Sequence, residues 1–223
     1  MSPLKTELPK YTLAQEISNS ITHGFGALLA LIFGPFLIVK AAVTKNPLAV
    51  VSVSLFVASI VVTYTISCIY HALARNNGKR VLRVLDHDMI YTLIAGTYAP
   101  YCLVGIAKDN LALGWTIYGV CVVLGIVGVV LNSVNLKKFK IFCMIDYIAM
   151  GWIVIFSFFP LINSIGWFPA SFILLLGGIS YTVGAVLYAI GSHRNQWFHL
   201  VFHCFCLLGT ILMFVSIYFF VIP

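Results

Sequence analysis

The chain has 223 residues, of which 61% are hydrophobic, and it carries only 13 Lys+Arg and 6 Asp+Glu. A water-soluble domain of this length carries about 55 charged residues, at roughly 25% of its composition. With a mean hydropathy of +1.05, the sequence excludes an ordinary soluble enzyme, a nucleic-acid-binding domain and a disordered chain, and leaves a polytopic membrane protein.

A membrane-spanning helix needs about 20 apolar residues. Seven such stretches follow one another, over residues 21–42, 48–72, 85–106, 111–131, 141–161, 168–190 and 198–222. Ahead of them, residues 1–20 read as a cytoplasmic tail in which residues 11–20 form a short amphipathic helix on the interface. No cleavable signal peptide is evident, because Glu7, Lys10 and Glu16 precede the first apolar run. The expected fold is therefore all-α: a single seven-transmembrane helix bundle over residues 1–223.

Polar breaks separate the spans, and their charges set the expected orientation. With the N-terminus in the cytoplasm, ten Lys and Arg lie inside: Lys5, Lys10, Arg75, Lys79, Arg80, Arg83, Lys137, Lys138, Lys140 and Arg194. Three lie outside: Lys40, Lys45 and Lys108. This bias predicts N-terminus in and C-terminus out, in the cell membrane. It also explains the net charge of +7 without a nucleic-acid partner.

Within the spans, Gly125, Gly128, Gly177, Gly178, Gly184 and Gly191 are expected where helices approach closely. Pro35 and Pro100 are expected to kink their helices. Six cysteines, none in a C-x-x-C pair, read as packing residues. A soft-ligand role stays open for Cys204 and Cys206, beside His203.

Ionisable groups inside spans are expensive, and they mark function by default. Glu16, Asn19 and His23 share one helical stripe at the start of the first span. Ser67 and His71 stand one turn apart at the inner end of the second. Asp86 opens the third, followed by His87 and Asp88. His199 and His203 form an i, i+4 pair in the first turns of the seventh, and Asp146 lies early in the fifth. The expected topology puts His71, Asp86, His199 and His203 at one depth near the inner face.

Two histidines at i, i+4 can ligate one metal, and a third from another helix completes a set. Three histidines with an open position is the catalytic zinc pattern, in which bound water acquires a pKa near 7. Asp86 could then orient or deprotonate that water, with Ser67 as hydrogen-bond partner. The reaction class this suits is hydrolysis of an amide or ester. Each group also has a plainer reading. A His-x-x-x-His pair serves interhelical hydrogen bonding. Asp86 is an N-cap or a partner for Arg83, and Asp146 pairs with Lys138 or Lys140. Glu16 pairs with a nearby basic residue, and His23 caps or bonds locally. His87 and Asp88 face headgroups or other helices, and His193 is a loop residue.

The ordered pattern resembles the hemolysin III family of bacterial membrane proteins, within the progestin/adiponectin receptor superfamily and, more remotely, the alkaline ceramidases. The likeness rests on the Glu16, Asn19, His23 stripe and on Ser67 with His71. It rests also on the run from Asp86 to Gly96, Thr97, Tyr98 and Pro100, on Gly151-Trp152, and on His199 with His203. It covers essentially the whole chain. The resemblance implies seven helices with the N-terminus inside and zinc near the cytoplasmic face. It implies ligands at His71, His199 and His203, water between metal and Asp86, and a role for Ser67. The ceramidase relatives hydrolyse a lipid amide, so a membrane lipid is the implied substrate or ligand. This chain departs from the pattern at Met213, where relatives often carry a further histidine, and at Asp88 and Asp146. Two rival readings remain: a membrane-lytic, pore-forming hemolysin, and a non-enzymatic regulator of membrane lipid state.

Overall fold

The computed structural model describes residues 6–192 and 194–223; the expectations for Lys5 and His193 lie outside them. Every regular element among the described residues is helical. Six helices are long and apolar enough to cross a membrane: α1 (Leu13–Val43), α2 (Pro47–Ala72), α3 (Asn77–Asp109), α4 (Leu111–Ile165), α5 (Trp167–Gly191) and α6 (Trp197–Val221). The expected spans fall within them, mostly to within a few residues at each end.

Local chemistry sets the ends. Thr12 and Gln15 form a capping box that starts α1. Asn46 caps α2 with Pro47 as its first residue, after Lys45 turns the chain at φ 56°. Asn76 and Asn110 cap α3 and α4 through their side chains. Nothing between Leu13 and Val43 breaks the first helix, so residues 13–20 are its opening turns and not a separate interfacial helix. Pro35 sits within that helix without ending it. Pro100 acts more strongly: the six residues after it, Tyr101–Ile106, are π-helical.

The helical run of α4 is 55 residues long, about 80 Å at 1.5 Å per residue and far beyond the ~30 Å hydrocarbon core. It is broken at Asn135, whose backbone is extended (φ −161°, ψ 89°) and whose side chain accepts from Lys138 N as a new N-cap. The run folds back there, since Met150 Cε comes within 3.4 Å of where a Gly125 Cβ would stand. Asp88 of α3 pins the turn. Its carboxylate accepts from Asn132 Nδ2 at 2.6 Å and Ser133 Oγ at 2.8 Å. The facing of Asp88 towards another helix is thus realised. Asp146 does not pair with Lys138 or Lys140; it is buried, and its Oδ2 finds no partner among the described residues.

The outer face is apolar, and the interior combines large side chains such as Leu37, Phe56 and Tyr91 with small and polar ones. On α1, Asn19, His23, Ala27, Ala30 and Gly34 face inward, while Leu28, Leu31, Phe33 and Phe36 are exposed. Lipid is as apolar as leucine, so helices associate through close packing of small residues rather than by hydrophobic exclusion. A Cβ on Gly128 would overlap the Tyr91 ring, and one on Gly191 the Phe198 ring; Gly177 and Gly184 are nearly as tight. Gly125 makes an ordinary contact. Gly178 meets nothing within 4 Å and borders a cavity instead. Gly128→Leu should therefore cost about 1–3 kcal/mol or more by overpacking, whereas Gly178→Ala should stay within about 0.5 kcal/mol of the parent. Thermal unfolding of the purified protein in detergent separates the two; equal loss would contradict this packing.

Candidate metal centre

Three helix ends build the centre. α2 ends on His71, one turn after Ser67, and the first two turns of α6 carry His199 and His203. α1 supplies the stripe that orients them. The three rings are buried, and one nitrogen of each lies within 4.8 Å of the others. His71 Nε2 and His203 Nε2 each stand 3.1 Å from His199 Nε2. Two nitrogens bound to one tetrahedral metal at about 2.0–2.1 Å lie roughly 3.3–3.4 Å apart, so the spacing suits a shared ion.

The outer nitrogens decide the tautomers. His71 Nδ1 faces Glu16 Oε2 at 2.8 Å, and His203 Nδ1 faces the Asn19 carbonyl at 3.3 Å. Both partners only accept, so each Nδ1 carries the proton and donates. With the rings neutral, both Nε2 atoms then present lone pairs inward. A single His199 Nε2–H could satisfy one of the two 3.1 Å contacts and would leave the other as lone pair against lone pair. A cation among the three nitrogens satisfies all of them. Carboxylate and carbonyl partners on the far nitrogen are the usual supports of metal-bound imidazoles.

Glu16 is therefore more than a surface pair. Its other oxygen accepts from Lys79 Nζ at 2.6 Å, which is the basic partner expected for it. Lys79 is buried and also donates to the carbonyls of Leu73 at 2.9 Å and His71 at 3.4 Å, closing the C-terminus of α2. His23 does not bond locally. Its ring stacks on His203 with centroids 3.5 Å apart and planes 6° apart, and neither nitrogen has a partner among the described residues. The side chains of Asn19 and Ser67 and the Nδ1 of His199 are likewise buried and unpartnered. Their residues adjoin or belong to the cluster, Asn19 through its carbonyl against His203 and Ser67 one turn before His71, and buried polar atoms without a protein partner are where ligands or water are held. The cysteines stay out of the histidine cluster: all six are free, and Cys204 faces outward.

Asp86 lies in the wall of a cavity of about 180 Å³ that also exposes His23, His199 and His203. Asp86 forms no ion pair with Arg83; its nearest ionisable partner is His87, at 3.9 Å. Beyond the polar end the walls are apolar, with Leu93, Ile94, Trp152 and Met213. A second cavity of about 220 Å³ shares Thr97, Tyr98, Trp152, Gly178 and Met213 with the first. Met213, in place of a polar histidine, keeps that junction greasy. From the other side, Tyr11 stacks on His199 (5.5 Å, 24°) and leans on His71 (5.6 Å). Burial pushes its phenol well above the ordinary tyrosine value, so it stays neutral.

Sequence reasoning underrated five of these residues. The Glu16, Asn19, His23 stripe carried a legible signal in its offsets of three and four. Lys79 looked like one of many topological charges, and nothing in the sequence singled out Tyr11.

Fold and site together define a polytopic α-helical membrane protein with a buried three-histidine centre. A sequence model of the haemolysin-III-related family matches residues 11–214. The chain is 36% identical over 211 residues to a hemolysin-3 homolog of Bacillus subtilis, covering 94% of this chain and 96% of that one. It is 33% identical over 209 residues to a hemolysin-3 of Bacillus cereus, covering 94% and 93%. The chain belongs to the haemolysin-III-related family.

Removing Lys79 leaves the partly exposed Glu16 carboxylate with only His71 as partner, a loss that approaches the ~3–5 kcal/mol of a broken buried pair. Lys79→Met should lower the unfolding temperature sharply, and adding Glu16→Gln should recover part of the loss. A double variant no more stable than Lys79→Met would show that the pair does not couple.

Proposed function

We propose that the protein is a zinc-dependent hydrolase of a lipid amide or ester, working near the cytoplasmic face of the membrane. The observation that carries this reading is the convergence of three Nε2 atoms, with the far nitrogens of His71 and His203 already tied to acceptors. The ligands would be His71, His199 and His203. Bound there, zinc would polarise a carbonyl and activate water.

The chain's own residues do the rest. Glu16 and the Asn19 carbonyl hold His71 and His203 in the tautomer that points Nε2 inward. Asp86, in the wall of the same cavity, takes the proton of the attacking water and returns it to the leaving amine or alcohol. Ser67 Oγ, buried and unpartnered, holds the water or the carbonyl oxygen in place. The apolar walls shared by the two cavities accept an acyl chain and exclude bulk water. Catalysis on a lipid would need no soluble domain, in keeping with a chain whose long helices leave only short connections.

The same reading counts α4 as two spans folded at Asn135, giving seven, with the N-terminus inside. The basic residues Lys79, Arg83, Lys137 and Lys140 then share the histidine side, as the positive-inside rule requires. The relatives' names point to lysis, but a pore needs polar groups along its full length, and the cavity walls turn apolar beyond the histidines.

Purified protein should hold about one zinc per chain. His71→Ala and His203→Ala should lose it, and Glu16→Gln should weaken it about 10–100-fold as an outer support. Asp86→Asn should keep the metal and lose lipid hydrolysis by about 100-fold or more, as general-base removal predicts. Metal-free protein with full activity would refute this reading.

A further inference from the structure

The cations near the inner end of the bundle are mostly accounted for. Lys79 is taken by Glu16, Lys137 by Glu7 at 3.1 Å, and Lys138 lies over the Phe139 ring. Two are not. Arg83, one turn before Asp86, has a buried Nε with no hydrogen-bond partner among the described residues. Its guanidinium lies within electrostatic reach of His199, His87 and the phenols of Tyr11, Tyr70 and Tyr188. Lys140, on the far arm of α4, lines the cavity beside Asp86, His87 and Tyr188 and forms no ion pair among the described residues. One unpaired cation, Lys140, thus lines the polar end of an otherwise apolar cavity beside Asp86, and a second, Arg83, stands one helical turn from that carboxylate.

A guanidinium partly withdrawn from water without an acceptor is an unfavourable state unless a ligand supplies one. Its planar fork matches the oxygens of a phosphate in a bidentate way, which a lysine alone does not. Tyr188 adds a phenol donor in the same wall. Arg83 also belongs to a stretch where the topology rule alone would ask only for exposed charges, and a buried Nε is more than that rule needs. A ligand complementary to this end carries a net negative head, and one complementary to the apolar walls carries an acyl tail.

We propose that Arg83, Lys140 and Tyr188 form a headgroup site for an anionic phospholipid whose acyl chain lies in the cavity. The inference deepens the hydrolase reading and rests on it for one point, that the scissile bond lies between head and tail at the histidine centre. Binding itself requires neither metal nor turnover.

The test uses Trp152, which lines both cavities, as reporter in a chain carrying Trp115→Phe, Trp167→Phe and Trp197→Phe. Full-length protein is placed in phosphatidylcholine vesicles doped with brominated-chain phosphatidylglycerol or brominated-chain phosphatidylcholine. Phosphatidylglycerol should quench at about tenfold lower mole fraction, the size expected of a charge-assisted contact. Arg83→Gln and Lys140→Gln should each reduce that preference to about twofold, Arg83→Lys should keep only part of it because a lysine lacks the bidentate fork, and Lys138→Gln should leave it intact. Equal quenching by the two lipids would overturn the proposal. So would a Lys138→Gln effect equal to that of Arg83→Gln, which would mean general attraction to a charged surface. Inorganic phosphate that raises the unfolding temperature while the lipid preference is absent would make this a small-anion site and overturn the lipid assignment. Repeating the measurement with His203→Ala separates the two readings: a preference that survives there stands even if zinc or hydrolysis fails.

Discussion

The contact on which the rest depends is the Glu16 carboxylate, held between His71 and Lys79. One side chain from α1 ties the end of α2 to the start of α3. Lys79 adds the carbonyls at the C-terminus of α2, where a cation is favoured by the helix dipole. In a low-dielectric interior each charge leans on the other, the buried Lys79 most of all. The pair therefore fixes the relative depth of three helices, and with it the direction of the His71 ring. Once Nδ1 of His71 is committed to Glu16, Nε2 can only face α6. A structural ion pair and the tautomer of a candidate ligand are here the same interaction.

Packing follows a different logic from that of a soluble core. Large apolar side chains cover the lipid face, and the interior sets large residues such as Leu37, Phe56, Tyr64 and Tyr91 among alanine, glycine, serine and other buried polar groups. Where helices touch closely, as at Gly96 against Ser59, Gly128 against Tyr91 and Gly191 against Phe198, an added Cβ would overlap the neighbour. Where they part, around Gly178 and Trp152, they leave the cavities. Small residues thus serve both close contact and open space, and their position relative to the neighbouring helix decides which.

That double use explains why glycines were read only in part from the sequence. Spacing identified Gly128, Gly184 and Gly191 as contact points, but Gly178 follows the same pattern and faces a void. The spans themselves were legible, since about 20 apolar residues in a row admit few other readings. The histidine cluster was legible because so few ionisable residues lie inside the spans that each one stood out. Pairings across helices were not. Asp146 was matched to lysines near it in sequence, yet the turn at Asn135 carries it into the interior. Glu16 found a basic residue 63 positions away. Tyr11, an ordinary tyrosine before an ordinary helix, gains its place only because Thr12 and Gln15 start α1 immediately after it.

Tyr11 also bears on how the centre is reached. Its ring covers His71 and His199 end-on. The segment that carries it is fastened twice, by Arg75 to the carbonyls of Pro9 and Leu8 and by Glu7 to Lys137. The direct route from the helix ends is therefore closed by an aromatic plug. The opposite side of the cluster faces the cavity, walled by Met144, Tyr147 and Ile148 of α4 and Ala185 of α5. Among the described residues, α4 and α5 make few mutual contacts compared with the tightly paired α1–α2 and α5–α6. On the proposed reading, a reactant would enter from the bilayer between these loosely joined helices rather than past the Tyr11 ring. The centre would then select its reactants by the phase they dissolve in, before any residue recognises them.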